Sequence, residues 1–445
     1  MRKIPLFPNA LLLHVHYQLS DVDMKVVIMN TADIEGGAAR CAQRLHHGLR
    51  QAGQDSTYFV QKKDGPDVDV VTANTWSQRL FADLRPGIDR IPMRLYRNRQ
   101  RAPFSTGLMG SFSMEPILTL DPDIVNLHYV GEGFLPIRSL ANINKPIVWT
   151  LHDSWPFTGG CHLPGDCEAY EKSCGKCPIL RSKTSNDLSW WILRNKINQW
   201  SDLNLTIVAD SSWLADCARR SSLFSKLRIE SINPGLNLNS YAPLDRATAR
   251  SILSLPQGKK LILFGAMHST VDPNKGFQLL LPALQHLSKT PLGAEAEVLI
   301  FGASRPASVP NFGMPSHYLG RLHDDISLAV LYSAADVMVV PSIRESFGQT
   351  ASESMACGTP VVAFAATGLL DIVTHKHNGY LAKPYDPLEL AQGIEWVLSR
   401  EKSDSISLAE NARKTAVAQF SIKDMTASYV DLFQDILHSS EGVED

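Results

Sequence analysis

The sequence lacks the features that would point to a nucleic-acid-binding or membrane-spanning protein. Its 43 lysines and arginines face 45 aspartates and glutamates, which gives a formal net charge of −2 and no overall attraction to nucleic acid. No apolar run reaches the roughly 20 residues that span a bilayer. With 44% hydrophobic and 20% charged residues, the composition is that of an ordinary globular protein. A chain of 445 residues can form two or three domains.

A convincing secretory signal is also missing. Residues 4–17 are apolar, but they contain Pro8 and two histidines, and no A-x-A cleavage pattern follows them. We therefore predict that residues 1–23 are an extension outside the fold. The seven cysteines are an odd number, which without a signal indicates a reducing compartment. We expect a cytoplasmic protein that can also act at the inner face of the cell membrane.

Short apolar runs rich in β-branched residues alternate with helical stretches along most of the chain. Continuous apolar strands separated by helices predict parallel sheets that are buried on both faces. The sequence thus predicts an α/β fold with two doubly wound domains, residues 24–232 and 233–420, and a cleft between them as the ligand site. The runs are 25–29, 56–60, 123–128, 146–152 and 205–210, then 260–266, 297–303, 316–322, 337–342 and 360–364.

The stretch ESFGQTASESMACGTPVVA, residues 345–363, follows a predicted strand and carries two carboxylates, Glu345 and Glu353. The amides near Phe347, Gly348 and Gln349 are at the predicted start of a helix and suit an anion, whereas carboxylates accept hydrogen bonds from hydroxyls. On spacing alone, one acid favoured by the helix dipole and one solvated glutamate are the better explanation.

This stretch closely resembles the E-x7-E signature of the retaining nucleotide-sugar glycosyltransferases of family 4, and the resemblance covers most of residues 24–440. It implies the GT-B fold, in which two Rossmann-like domains face each other and the last helix crosses back to the first. It also implies that Glu345 lies by the donor sugar and that Glu353 binds the nucleotide ribose. The apolar spacing in residues 421–445 independently predicts a terminal amphipathic helix.

A second element, LFGAMHSTVDPNKGF (263–277), places Lys275 at the start of a helix, where an ammonium suits a diphosphate. The resemblance implies that Lys275 neutralises the negative charge on the leaving nucleotide. The alternative is a solvated lysine at a helix end. The family often has an arginine just after the strand glycine, but residues 266–268 are AMH here. The candidates for a second cation are Arg305, Arg321 and Arg344.

Two loops of the first half complete the predicted site. Gly36 and Gly37 expose backbone amides at the start of the first helix, and an ordinary turn is the alternative. By resemblance this pair lies near the donor phosphate or the acceptor, opposite Lys275.

His152 and Asp153 follow a buried strand at the ligand-facing edge. His152 matches the family histidine that hydrogen-bonds the donor sugar, and the alternative is a strand-end histidine satisfied by the backbone. His128, at the end of another strand, is a second candidate that faces the cleft.

Four cysteines, Cys161, Cys167, Cys174 and Cys177, fall within 17 residues. Cys174-x2-Cys177 has the spacing of a zinc knuckle, and the other two could complete a tetrahedral structural zinc site. Four reduced thiols in a packed loop are the alternative. The tract resembles one in a subset of bacterial family 4 enzymes of polysaccharide assembly.

Two stretches combine basic and apolar residues. Residues 85–101 contain six arginines, and residues 188–200 contain three tryptophans with Arg194 and Lys196. Such stretches suit an anionic membrane surface or a lipid-diphosphate acceptor. A solvated basic face and a tryptophan-rich packing helix are the alternatives.

Together these residues predict retaining transfer of a sugar from a nucleoside diphosphate donor to a hydroxyl of a glycan or lipid-linked acceptor. Protein cations and helix amides would stabilise the leaving diphosphate, so no catalytic cofactor is expected, and no D-x-D pair lies in a suitable context. A sugar-nucleotide epimerase or a glycoside phosphorylase on the same fold is the first alternative. A non-catalytic nucleotide-sugar or glycan-binding module is the second.

Overall fold

The computed structural model describes residues 24–72, 76–109, 114–265, 272–322 and 324–441. The predicted extension, residues 1–23, and the AMH segment at 266–268 lie outside these described residues. No helix in the described ranges combines the length and apolar character needed to cross a membrane.

The first half of the chain forms a seven-stranded parallel sheet with the order β3-β2-β1-β4-β5-β6-β7. The central strands β4, β5 and β6 are buried at every position, which is why they read as continuous apolar runs. The order reverses between β1 and β4, and a crevice opens there at the carboxyl ends of the strands. The elements are β1 (Lys25–Ala32), α1 (Gly37–Gln51), β2 (Asp55–Lys62), β3 (Val70–Thr72), α2 (Trp76–Asp89), α3 (Glu115–Leu118), β4 (Ile124–Leu127), β5 (Ile147–Leu151), α4 (Leu188–Trp200), β6 (Leu205–Ala209), α5 (Ser212–Arg220) and β7 (Ile229–Ser231).

The second half forms a six-stranded parallel sheet with the order β10-β9-β8-β11-β12-β13, and its order reverses between β8 and β11. The elements are α6 (Arg246–Ile252), β8 (Lys260–Gly265), α7 (Phe277–Leu287), β9 (Ala296–Phe301), β10 (Ser316–Tyr318), α8 (Asp325–Ala334), β11 (Val337–Val340), α9 (Gln349–Ala356), β12 (Val361–Phe364), β13 (Gly379–Ala382), α10 (Pro387–Leu398), α11 (Lys402–Gln419) and α12 (Ile422–Glu441).

The predicted α/β fold with two doubly wound sheets is confirmed, and every one of the ten predicted apolar runs overlaps a strand. Sequence analysis missed β3, β7 and β13. All three are edge strands of three or four residues. An edge strand is covered on fewer sides, so it needs no continuous apolar run.

The terminal helix α12 crosses back and packs on the first domain, beside α1. Phe433 and Tyr429 are buried among residues of β1, β2 and α1, and the Tyr429 hydroxyl lies 2.9 Å from Thr150 Oγ1 on β5. Gly48 permits this close approach, because a Cβ there would lie 2.1 Å from Thr426 Oγ1. The last helix therefore closes the first domain's core.

We expect Phe433→Ala to lower the free energy of unfolding by about 3–5 kcal/mol, because it removes a fully buried ring between α12 and the first domain. Urea denaturation followed by circular dichroism measures the loss. The exposed Asp431 on the same helix provides the matched control, Asp431→Ala. Equal stability of the two variants would show that α12 is not part of that core.

Candidate active site

The carboxyl ends of both sheets face one cavity of about 850 Å³. It forms where the strand order reverses in each sheet, so the loops after β1, β5, β8 and β11 all reach it. Ten of the residues predicted for the site line this cavity: Gly36, Gly37, His152, Asp153, Lys275, Glu345, Phe347, Gly348, Gln349 and Glu353. The fold thus brings together segments that are more than 300 positions apart.

Lys275 and Glu345 form an ion pair in the second domain's part of the cavity. Lys275 Nζ lies 2.6 Å from Glu345 Oε1, which also accepts a hydrogen bond of 2.8 Å from the Ser342 hydroxyl. Gly276 positions the lysine, because its φ is +73° and a Cβ there would lie 1.8 Å from the Pro341 carbonyl oxygen. Burial alone would lower the pKa of Lys275, but Glu345 raises it above its usual value. Lys275 is therefore charged at neutral pH.

Glu353 is almost fully buried, and groups from both domains balance the charge of its carboxylate. The Tyr332 hydroxyl donates to its Oε2 at 3.0 Å, and Arg44 Nη2 donates to its Oε1 at 3.0 Å. Arg40 Nη1 lies 3.8 Å from the same Oε1. Both arginines are on α1 of the first domain, so this ion cluster joins the two domains at the cavity wall.

Two helices begin at the cavity from opposite sides. Gly36 is the N-cap of α1 with φ +93°, and Gly348 is the N-cap of α9 with φ +112°, conformations that favour glycine. Gln349 Nε2 donates to the Gly37 carbonyl oxygen at 2.8 Å across the cavity. Free N–H groups of both helices therefore point towards the same space. Phe347 contributes backbone only, since its ring is buried against Phe420.

Sequence analysis placed His128 facing the cleft, and the structure corrects this. His128 is buried and does not line the cavity, because its ring lies beneath that of His152. Its Nδ1 is 2.8 Å from His152 Nε2, and its Nε2 is 2.9 Å from Asn126 Oδ1. His128 supports His152 rather than meeting a ligand.

The hydrogen-bond network determines the tautomers of both histidines. Asn126 Nδ2 donates to the Val148 carbonyl oxygen, so Asn126 Oδ1 accepts from His128 Nε2–H. Burial, followed by the nearby His152, lowers the pKa of His128 well below its usual range, so His128 is neutral and its Nδ1 accepts. His152 must therefore donate through Nε2–H, and its Nδ1 lies 3.5 Å from Asp210 Oδ2.

Asp153 anchors its own loop. Its Oδ1 accepts from the Trp155 backbone N–H at 2.8 Å, and its Oδ2 lies 2.7 Å from His162 Nδ1. The carboxylate lines the cavity while these two partners hold it in one orientation.

Of the three candidates for the second cation, only Arg321 lines the cavity. Arg344 Nη2 pairs with Asp166 Oδ1 at 2.6 Å, and Arg305 is exposed outside the cavity lining. Sequence analysis missed Arg40 and Arg44, although their i, i+4 spacing on α1 is a signal that they share one helix face. It also missed Asp210 and Tyr332, which line the cavity.

The four clustered cysteines lie in the cysteine loop, residues 161–177, and none forms a disulfide. Among the described residues, the one group of three ligating side chains whose donor atoms all lie within 4.8 Å of one another is Cys41, His128 and His152. No three thiols of the cysteine loop are as close as that. Burial, followed by the other three cysteines, raises the pKa of the Cys161 thiol.

The two basic stretches differ in exposure. In residues 84–101 the side chains of Leu84, Ile91 and Leu95 are exposed together with Arg94 and Arg97. In α4, by contrast, Lys196 and Trp200 are buried, so this helix mainly packs against the first domain. The predicted stretch 85–101, together with the neighbouring Leu84, therefore exposes apolar and basic side chains, and membrane contact stays a prediction.

Comparisons with known proteins point in one direction. Residues 245–415 match the model for "Glycosyl transferases group 1", and residues 35–240 match that for "Glycosyltransferase Family 4". A D-inositol 3-phosphate glycosyltransferase from Xylanimonas cellulosilytica is 34% identical over 87% of this chain and 92% of its own length. A candidate colanic acid biosynthesis glycosyl transferase of Escherichia coli, WcaC, is 25% identical over 93% of this chain and all of its own.

Among solved structures, Anabaena Alr3699/HepE in complex with UDP-glucose has a similar fold. The TM-score is 0.62 with 17% identity, and the match covers 93% of this chain and all of that one.

We expect Arg44→Met to lower the free energy of unfolding by about 3–5 kcal/mol, because it leaves the buried Glu353 carboxylate without its closest cation. Urea denaturation measures the change. Arg50→Met on the same helix is the control. Arg50 pairs with the exposed Asp69, and an exposed ion pair of this kind contributes less than about 1 kcal/mol to the free energy of unfolding. The double variant Arg44→Met/Glu353→Gln should recover most of the loss; failure to recover would show that the buried charge is not the cause.

We expect Asn126→Asp to raise the pKa of His128, because a carboxylate beside Nε2 favours the imidazolium. The ¹⁵N resonances of His128, followed by NMR against pH, report this directly. In the parent protein His128 stays neutral when folded, so its contribution to stability is intact above about pH 6.5 and is lost as the pH falls below that value. Asn142→Asp, at an exposed site, should change neither property. An unmoved titration in Asn126→Asp would contradict the assigned network.

Proposed function

Because this chain belongs to the group 1 glycosyltransferases of family 4 and has their GT-B fold, we propose that it transfers a sugar from a nucleoside diphosphate donor to an acceptor hydroxyl with retained anomeric configuration. The observation that carries the proposal is the convergence of Lys275, Glu345, Glu353 and two helix N-termini on one cavity. The complex of Alr3699/HepE with UDP-glucose supports a nucleotide sugar as the donor.

The diphosphate would bind between the N-termini of α1 and α9, beside Lys275. Backbone N–H groups at helix N-termini and a charged lysine stabilise negative charge that grows on a departing phosphate. Arg321, which also lines the cavity, is proposed as the second cation. These groups are in place before the reaction, so they need little reorganisation when charge develops.

Glu353 would bind the ribose hydroxyls. Each carboxylate oxygen can accept more than one hydrogen bond, so the contacts with Arg44 and Tyr332 leave acceptor capacity on the cavity side. The arginine offsets the cost of burying the carboxylate, and a charged acceptor makes the stronger hydrogen bond to a hydroxyl.

Glu345 and His152 would orient the donor sugar. Glu345 is held by Lys275 and Ser342, and Asp153 is held by His162, so neither is placed as a covalent nucleophile. Asp210, which also lines the cavity, is buried beside His152. We therefore propose that the acceptor attacks from the face the diphosphate leaves and that the leaving phosphate takes the acceptor's proton. No catalytic metal is part of this proposal.

The acceptor is proposed to be a glycan or a lipid-linked glycan. The likeness to WcaC supports a place in polysaccharide assembly. The exposed leucines, isoleucine and arginines of residues 84–101 suit contact with an anionic bilayer, which would bring a lipid-linked acceptor to the first domain. We propose that the protein acts in the cytoplasm at the inner face of the membrane.

Glu345→Gln should reduce sugar transfer by about a hundredfold or more, because it removes the charge that pairs with Lys275 and orients the sugar without changing side-chain size. Transfer is measured by mass spectrometry, with a panel of uridine and guanosine diphosphate sugars offered against lipid-linked oligosaccharide extracts. Glu401→Gln, at the exposed start of α11 with no side-chain capping bond, is the matched control. NMR of the product reports the anomeric configuration.

The same assay separates the alternatives. Donor turnover without any acceptor would indicate an epimerase, and a requirement for inorganic phosphate would indicate a phosphorylase. Donor binding by calorimetry without transfer to any extract would indicate a binding module. Unchanged transfer by Glu345→Gln would remove Glu345 from the mechanism, and an inverted product would overturn the proposed retention.

A further inference from the structure

The cysteine loop contains an arrangement that the proposed reaction does not use. All four of its cysteines are free of disulfides, and the loop lies directly after His152 and Asp153. Cys161 and Cys177 are buried, whereas Cys167 and Cys174 are partly exposed. We propose that the four thiols bind one structural zinc ion as a tetrathiolate.

The backbone around Cys174 and Cys177 supports this proposal. Cys174, Gly175 and Lys176 all have positive φ, at 51°, 100° and 47°, so the chain makes a tight left-handed turn between the two cysteines. Gly175 is required there, because a Cβ would lie 2.0 Å from the Ser185 carbonyl oxygen. A tight turn shortens the distance between the two cysteines of a C-x2-C pair, as a shared metal ion requires.

Hydrogen bonds to the start of α4 hold this turn in place. The Cys177 backbone N–H donates to Asp187 Oδ2 at 2.8 Å, and the Gly175 N–H donates to Ser189 Oγ at 3.0 Å. The turn between the two cysteines is therefore fixed before any ion binds.

Lys196 supplies the charge that the site needs. It is fully buried, and it donates to the carbonyl oxygens of Trp155 and Thr158. Among the described residues it forms no ion pair with a carboxylate, and Thr158, one of its two partners, also donates through its hydroxyl to the Cys161 carbonyl oxygen. A buried ammonium needs an anion, and a zinc ion with four thiolates carries a net charge of −2.

Zinc binding would contract the loop. A zinc–sulfur distance of about 2.3 Å in a tetrahedron places the sulfurs roughly 3.8 Å apart, closer than the loop holds them here. Cys167 and Cys174 are the partly exposed pair, so their side chains have room to move inwards. The metal displaces the four thiol protons, which are released to water. The ion would fix the loop that follows His152 and carries the His162 partner of Asp153.

Metal analysis of the full chain tests the proposal. Protein purified without a metal-affinity tag and under reducing conditions should contain about one zinc per chain by mass spectrometry of the metals. A mercurial reagent should release it, and cobalt substitution should give the visible absorption of a tetrahedral thiolate site. Cys174→Ser and Cys177→Ser should lose the zinc, whereas Cys217→Ser, a buried cysteine outside the loop, should keep it.

Three results would overturn the proposal, and the first two need no variant. One is folded, metal-free protein in which all seven cysteines react as free thiols after denaturation. Another is fewer than seven reactive thiols without metal, which would indicate disulfides. The third is zinc that persists in both cysteine-loop variants, which would place it at Cys41, His128 and His152 instead. Activity is not part of this test, so its outcome is independent of the proposed function.

Discussion

The buried charge of Glu353 is the constraint on which the arrangement of the two domains depends. A carboxylate that is almost fully removed from water must be balanced by a cation and by hydrogen bonds. The second domain supplies the Tyr332 hydroxyl, and the first domain supplies Arg44 and Arg40 from α1. Because these arginines are on the first helix after β1, satisfying Glu353 also brings the N-terminus of α1 to the cavity. One electrostatic requirement thus determines both the contact between the domains and the position of one of the two helix N-termini at the cavity.

The two sheets share one topology, and this explains why a small number of strand-to-helix loops forms the cavity. In each sheet the strand order reverses beside the first strand, between β1 and β4 and between β8 and β11. The loops that leave these strands are the ones that approach each other across the cavity. Glycines shape these loops. A Cβ at Gly276 would lie 1.8 Å from the Pro341 carbonyl oxygen, and Gly36 and Gly348 begin their helices at positive φ.

The positions of site residues along the chain could be predicted where they follow buried strands, but their partners could not. Lys275, Glu345 and His152 come after recognisable apolar runs, and parallel strands bring such residues to one edge. Arg44 was given no role in the sequence analysis, because only the approach of the second domain makes it a partner of Glu353. The prediction for His128 was wrong because of its side chain. The residue follows a strand at the correct edge of the sheet, but its ring lies beneath that of His152. Propensity and periodicity are local, whereas these assignments depend on contacts between distant segments.

The double use of Glu353 links donor binding to the domain contact. In the proposed reaction the carboxylate accepts hydrogen bonds from the ribose, and in this structure it already accepts them from a first-domain arginine and a second-domain tyrosine. A ribose that shares the carboxylate draws electron density away from the Arg44 contact and weakens it. A ribose that replaces Arg44 leaves a guanidinium buried without its partner, which is costly unless the diphosphate lies close enough to compensate. Either way, the free energy of donor binding includes a term from the domain contact, so the two domains cannot respond to the nucleotide independently.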